Sequence, residues 1–345
     1  MDVSNETYYI TNLNNAVMYL NKYILIIFYV LGNIGNLLSI WIFMKKSWRK
    51  NVCVLYFKVS LLISTCYLNS TILGAISNFG FQVYLQNSNV IICKIHYYFS
   101  ILLSVLSPTI LLLASIDRLL ISSQNVDTRL YSSKRLAYFS ISIGITFWSL
   151  FFIHILVQID IHQISPMEFV CSYVSPKWYY DFVTYSLGVI NVIICLLMII
   201  LCLFAFKNVQ RIRAAPLGKH AEIRSMTKKD FQVLRCLFVQ DVIYIFFSMV
   251  VIIYYVYAAI TADKRRTALG LAVINFADKF VTFLFNISYS TYFFVFLTVS
   301  RAFRMELKRL IRKNLTLIHD EENRQNIPHI SEHAEDVVHT IEIPK

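Results

Sequence analysis

The stretch CKIHYYFSILLSVLSPTILLLASIDRL, residues 93–119, decides the fold. From Ile95 to Ile116 it carries no formal charge over 22 residues, enough for a helix rising 1.5 Å per residue to cross a hydrocarbon layer of about 30 Å. One helix therefore ties Cys93, at one membrane face, to the Asp117-Arg118 pair at the other. Pro108 sits in its middle, where it is expected to free a backbone carbonyl and bend the helix.

The same pattern recurs to either side. Uncharged or nearly uncharged runs cover Ile24 to Met44, about Val52 to Leu73, Leu136 to Gln158, Phe182 to Phe206, Cys236 to Ile260, and about Ala268 to Val299. Lys58 lies inside the second, near its inner end, where a lysine snorkels to the headgroups. With 57% hydrophobic and only 15% charged residues, against about a quarter charged in soluble domains, a soluble fold is excluded. The expectation is an all-α membrane protein, a seven-transmembrane helix bundle spanning 24–299. Of the 32 Lys and Arg, those at 22, 94, 177, 264, 265, 266 and 279 fall on the side opposite the basic loops, which puts the N-terminus outside by the positive-inside rule. The net charge of +12 thus reports topology and membrane lipids as partners, not nucleic acid.

Residues 1–23 are polar and Asn-rich, without the basic start and short apolar run of a signal peptide. They are expected to be extracellular, with the first span acting as the membrane signal and Asn5-Glu6-Thr7 as a glycosylation site. The matches at Asn69, Asn286 and Asn314 lie within spans or inside, and are expected to be chance. Of seven cysteines, Cys93 and Cys171 lie at the margins of apolar runs on one common side and make the natural disulfide pair. The outer segment from Ile159 to Asp181 is long enough to fold back over the bundle. Residues 300–313 place Phe303, Leu307, Leu310 and Ile311 at helical spacing opposite basic residues, as in a C-terminal amphipathic surface helix. The polar, acidic remainder, 314–345, is expected to be a disordered cytoplasmic tail.

Gly35-Asn36, Cys93, Asp117-Arg118-Leu119, Trp148, Cys171 and Phe303-Arg304 occur in order on these spans. Together they resemble rhodopsin-like G-protein-coupled receptors, over about Tyr23 to Lys313; Gly32-Asn33 is an alternative register for the first motif. The resemblance implies a plasma-membrane receptor whose partner is a heterotrimeric G protein. It makes Asn36, Ser64, Ser107, Trp148 and Ser288 a helix-packing hub and Arg118 a switch at the inner mouth. Arg118 would pair with acids at rest, with Asp230 closing the lock across helices, and release to meet a G-protein helix. An exposed pair of this kind is worth about 0–1 kcal/mol, so the lock is expected to open easily. No cofactor or metal is implied.

The departures are as informative. Ser64 stands where the family carries an aspartate, Tyr292-Phe293-Phe294-Val295-Phe296 where it carries Asn-Pro-x-x-Tyr, and Phe247-Ser248-Met249-Val250 where Trp-x-Pro is common. The fifth span has no proline. Helices five to seven are therefore expected to lack their usual hinges, leaving a switch rewired through Pro108 or a receptor-shaped protein that binds ligand or partners without activating G proteins.

At the outer mouth, Ser100 replaces the aspartate of amine receptors, and Lys279 lies two turns too far out for a retinal linkage. His96, Tyr97, Ser100, Ser104, Tyr254, Asp278 and Thr282 make an aromatic pocket with a few polar groups. It suits a short extracellular peptide, with Asp278 meeting a basic group; tyrosines also belong to interface belts. Asp241 is expected to make a polar contact within the bundle, and His154 to be a satisfied interior imidazole. A transporter would need more than a lone Asp241 and Lys58 for its path, and no Ser–His pair or His/Asp cluster at a common depth suggests an enzyme. After Phe303 the tail offers only Thr316, Ser331 and Thr340 as hydroxyls, so dense phosphorylation there is not expected, and arrestin-type regulation would lean on Ser225 and Thr227.

Overall fold

The computed structural model describes residues 3–49, 51–123, 131–165, 168–174, 177–214, 228–261 and 264–312. Among them seven helices are long and apolar enough to cross a membrane. They are α1 (Asn5–Met44), α2 (Val52–Gly80), α3 (Val90–Ser122), α4 (Lys134–Gln158), α5 (Trp178–Asn208), α6 (Lys229–Ile260) and α7 (Ala268–Ser290). Six of the predicted runs each lie within one of them, the seventh covers α7 and continues beyond it, and the chain is a multi-pass helical membrane protein. A short α8 (Tyr292–Val299) continues α7. Residues 301–312 form a further helix with Phe303 buried. The predicted tail 314–345 and the hydroxyls of Ser225, Thr227, Thr316, Ser331 and Thr340 lie outside the described residues.

The helix α1 is far longer than its apolar run. Residues Val3–Tyr19 are α-helical, Leu20–Ile24 make a π-turn, and Leu25–Met44 continue as α-helix. Forty residues make about 60 Å, twice a hydrocarbon core, so the polar N-terminal half stands clear of it. That half has no apolar run to announce it. It is held by tertiary packing against α7 and the end of α2, which is what stabilises most helices in folded proteins. The Glu6 carboxylate accepts the Leu269 N–H at 3.0 Å, capping α7 from another element. At Gly80 the chains come so close that a β-carbon would stand 3.1 Å from the Lys22 backbone.

The segment after α4 is a two-stranded antiparallel hairpin, β1 (Ile159–Ser165) and β2 (Glu168–Tyr173), with Ile161 opposite Cys171. This amends the all-helical expectation. The Cys93–Cys171 disulfide joins β2 to the start of α3 across a sequence separation of 78. Asn87 Oδ1 accepts the Cys171 N–H at 3.1 Å, and the Tyr97 hydroxyl donates to the Cys171 carbonyl at 3.4 Å. Burial, reinforced by the rings of Tyr97, Tyr179 and Tyr180, pushes the Tyr173 phenol pKa up and keeps it neutral.

Span seven lacks the usual proline, yet it is not one continuous α-helix. Ser288–Ser290 tighten into a 3₁₀ turn between α7 and α8, a break made without proline. Its central residue, Tyr289, is buried, stacks on Tyr67 with ring centroids 3.9 Å apart, and donates to the Ser104 carbonyl at 3.1 Å. Ser104 lies four residues before Pro108, so its carbonyl is the one the proline leaves without a helical N–H. The helix α3 runs unbroken through Pro108, and α7 supplies the missing donor.

Candidate functional site

Near the end of α3, Arg118 donates to Asp117 Oδ2 from Nη2 at 2.5 Å and from Nε at 3.1 Å, and the Ser132 hydroxyl donates to Asp117 Oδ1 at 2.5 Å. The two side chains are 1% and 5% exposed. The expected exposed pair is thus corrected: both charges are out of water, and removing one partner from such a pair costs about 3–5 kcal/mol rather than 0–1. Asp230, in the first turn of α6, accepts from Asn51 Nδ2 just before α2, and its charge also acts on Arg118. Of the three residues predicted for the lock, Asp117 and Arg118 are bonded directly, while Asp230 is bonded to Asn51 and reaches Arg118 through its charge.

Beside Arg118 opens a cavity of ≈ 360 Å³ walled by α3, α5, α6 and Val299 of α8. Asp241, fully buried on α6, lines it and binds all three long helices together: Ser115 of α3 donates to its Oδ2 at 2.8 Å and Cys202 of α5 at 3.2 Å. That is the polar contact predicted for it. Asp241 Oδ1 and Arg118 Nη1 have no hydrogen-bond partner in the protein. The cavity's lining is mostly apolar, with Ser115, Arg118, Gln210, Arg235 and Asp241 as its polar and charged side chains.

Toward the bundle centre, Asn36 is fully buried and neither atom of its amide has a partner in the protein. The hydrogen bonds between α1 and α2 run one turn away, through the alternative register. Asn69 Nδ2 donates to Asn33 Oδ1 at 2.8 Å while Asn69 Oδ1 accepts from the Tyr29 hydroxyl at 2.8 Å. Ser107 lies 3.2 Å and Ser60 2.6 Å from the hydroxyl of Tyr292, and buried Ser64 stands beside it. The hydroxyl of Ser288 turns back to the Phe285 carbonyl of its own helix at 2.7 Å. Trp148, half-buried, donates from Nε1 to Thr109 Oγ1 at 3.1 Å, joining α4 to α3. Tyr292, read from the sequence only as a departure, is where α2, α3 and α8 meet. A tyrosine among three buried serines is the signal that could have identified it.

At the face carrying the disulfide, His96, Tyr97, Ser100, Ser104, Tyr254, Asp278 and Thr282 are all half-buried. The ring of His96 packs where a β-carbon on Gly74 would stand, at 2.5 Å from Cε1. Ser100 accepts from Thr71 at 2.9 Å, Ser104 donates to the Ile101 carbonyl at 2.7 Å, and the Tyr254 hydroxyl donates to the Ile274 carbonyl at 3.2 Å. Asp278 is paired with its neighbour Lys279 at 3.1 Å, whose ammonium lies 4.7 Å from the Phe79 ring centroid. A cationic ligand group would have to displace that lysine. His154 Nδ1 meets the Tyr179 hydroxyl at 2.5 Å, tying α4 to α5. Asn5, in the first turn of α1, is exposed.

No protein-family model matches this chain, and no curated protein matches it in sequence.

Proposed function

We propose that the chain is a plasma-membrane receptor that couples an extracellular ligand, a short peptide, to a heterotrimeric G protein. In this reading the disulfide face is outside and glycosylated at Asn5, the basic face is cytosolic, and the helix over 301–312 lies along the inner surface. The observation that carries it is the buried Arg118, held by Asp117 at the wall of a cavity that Gln210, Arg235 and Asp241 also line. A helix end entering from the cytosol would find a donor for its terminal carbonyls and an acceptor for a side chain. Movement of α6 away from α3 and α5 would break the Asp241 contacts and widen the cavity. Ligand seated between α3 and the Asp278–Lys279 pair would bias that movement through α7, whose 3₁₀ turn grips α3 at Ser104.

A second reading, a receptor-shaped protein that does not signal, is favoured by one observation: breaking the buried Asp117–Arg118 pair is costly. The two are separated by ligand-free nucleotide exchange on a panel of G proteins, comparing wild type, Asp230→Ala and Arg118→Ala at matched surface levels. On the signalling reading Asp230→Ala raises exchange and Arg118→Ala abolishes it. Silence from all three proteins, folded at the surface, would establish the second.

A further inference from the structure

Away from the Arg118 cavity, the basic face carries a smaller pocket of ≈ 100 Å³ lined by Arg49, Asn51, Val54, Leu55, Lys58, Lys134 and Tyr138. It collects positive charge from two kinds of source. Three cations line it, and those of Arg49 and Lys134 act on the Lys58 ammonium. Two helices also begin there: α2, capped by Asn51, and α4, capped by Ser133. Helix starts favour carboxylates in their first turn, yet neither helix has one, and α4 opens with Lys134 and Arg135. Among the described residues no salt bridge is made by Arg49, Lys58 or Lys134.

Such a site is electrostatically incomplete. Lys58 is the only formal charge in α2, carried into an apolar span where a cation is costly, and its nearest charges repel it. An anion seated between these side chains would relieve the mutual repulsion of the three cations. The surroundings indicate the kind of anion. Tyr138, which lines the pocket, is 58% exposed, as a lipid-facing ring is at the headgroup level. A ligand here would meet cations with one end and hydrocarbon with the other.

We propose that this pocket binds the phosphorylated headgroup of an anionic membrane lipid. Its phosphate is held by Arg49, Lys58 and Lys134 at the convergence of two helix starts, and its acyl chains run beside Tyr138. Basic pockets between membrane helices recognise multiply charged headgroups in this way. The proposal needs only the membrane, and stands or falls apart from G-protein coupling.

The test uses the full-length protein in phosphatidylcholine nanodiscs containing a phosphoinositide bisphosphate, with retained lipid read by native mass spectrometry. Wild type is expected to retain the bisphosphate lipid in preference to phosphatidylserine. Lys58→Gln should lower retention about five- to tenfold, Lys134→Gln should act similarly, and Lys58→Arg should keep it. Lys46→Gln and Lys207→Gln, also basic but outside the pocket, serve as controls. Equal losses from the controls would mean diffuse attraction to a basic surface and overturn the site. Competition by millimolar inorganic phosphate, or equal retention of phosphatidylserine, would make it a free-anion or general charge site and overturn the lipid assignment. Removing a cation from an apolar span does not threaten folding, so a loss of retention at unchanged thermal stability supports the proposal.

Discussion

Pro108 and Tyr289 make one device from residues 181 positions apart. The proline removes the N–H that would have satisfied the Ser104 carbonyl, and the tyrosine hydroxyl replaces it. Tyr289→Phe keeps the stacking on Tyr67 but leaves that carbonyl buried and alone, a loss of about 1–3 kcal/mol. Thermal unfolding in detergent should show it, and should show less of it when Pro108→Ala restores the helical donor. A full effect of Tyr289→Phe in the Pro108→Ala background would mean the hydroxyl serves something else. The sequence disclosed the proline's half of this pair, because a proline's deficit is local. It did not disclose the tyrosine, since nothing in Ser288-Tyr289-Ser290 says which carbonyl it will meet. Asp117 and Arg118 were legible as residues, but their burial was not, because it depends on Ser132 and on the walls of a cavity built by three other helices. Asn33 and Asn36 show the same limit: both were visible as polar groups in an apolar span, and only packing decides that Asn33 is the one that reaches Asn69.

The spans were readable as elements because exclusion of charge from hydrocarbon is a property of composition. The elements that were missed are those whose stability comes from a neighbour. Residues 5–23 are helical because they lean on α7 and on Gly80, and the hairpin after α4 is held by Asn87 and the disulfide. The Glu6 cap tests this dependence. Glu6→Ala should cost about 0.5–2 kcal/mol, the range for a lost N-cap, and hydrogen exchange should quicken both at Leu269 and along residues 5–23. Thr267→Ala, which removes the local cap on Gly270 N–H, should quicken the start of α7 alone. If exchange at Leu269 is untouched by Glu6→Ala, the two helices are neighbours without being coupled. The 3₁₀ turn of span seven belongs here as well: a break was expected only where proline stood, yet buried serines and Tyr289 make one by taking their hydrogen bonds elsewhere.

For the whole molecule, the proposed topology, with seven spans and the N-terminus outside, has a simple consequence. Wild type expressed in a glycosylating cell should carry one N-linked glycan that Asn5→Gln removes, seen as faster migration and loss of endoglycosidase sensitivity. Migration unaffected by Asn5→Gln would place the N-terminus on the cytosolic side or leave Asn5 shielded, and protease protection of residues 1–23 in sealed vesicles would tell these apart. The number of spans was legible because it is a matter of composition; the bonds that join one face to the other were not, because they run between distant spans. The bond from Tyr289 to Ser104 has a further meaning once the chain is considered as it is made. The third span leaves the ribosome with an open carbonyl, and its partner follows 185 residues later, about 10–40 s behind at ordinary elongation rates. During that interval the nascent protein carries a polar flaw in its most central helix, one that only the last span can mend. A chain cut short before the seventh helix would keep the flaw permanently, giving the cell's degradation machinery a chemical mark by which to tell an unfinished copy from a finished one.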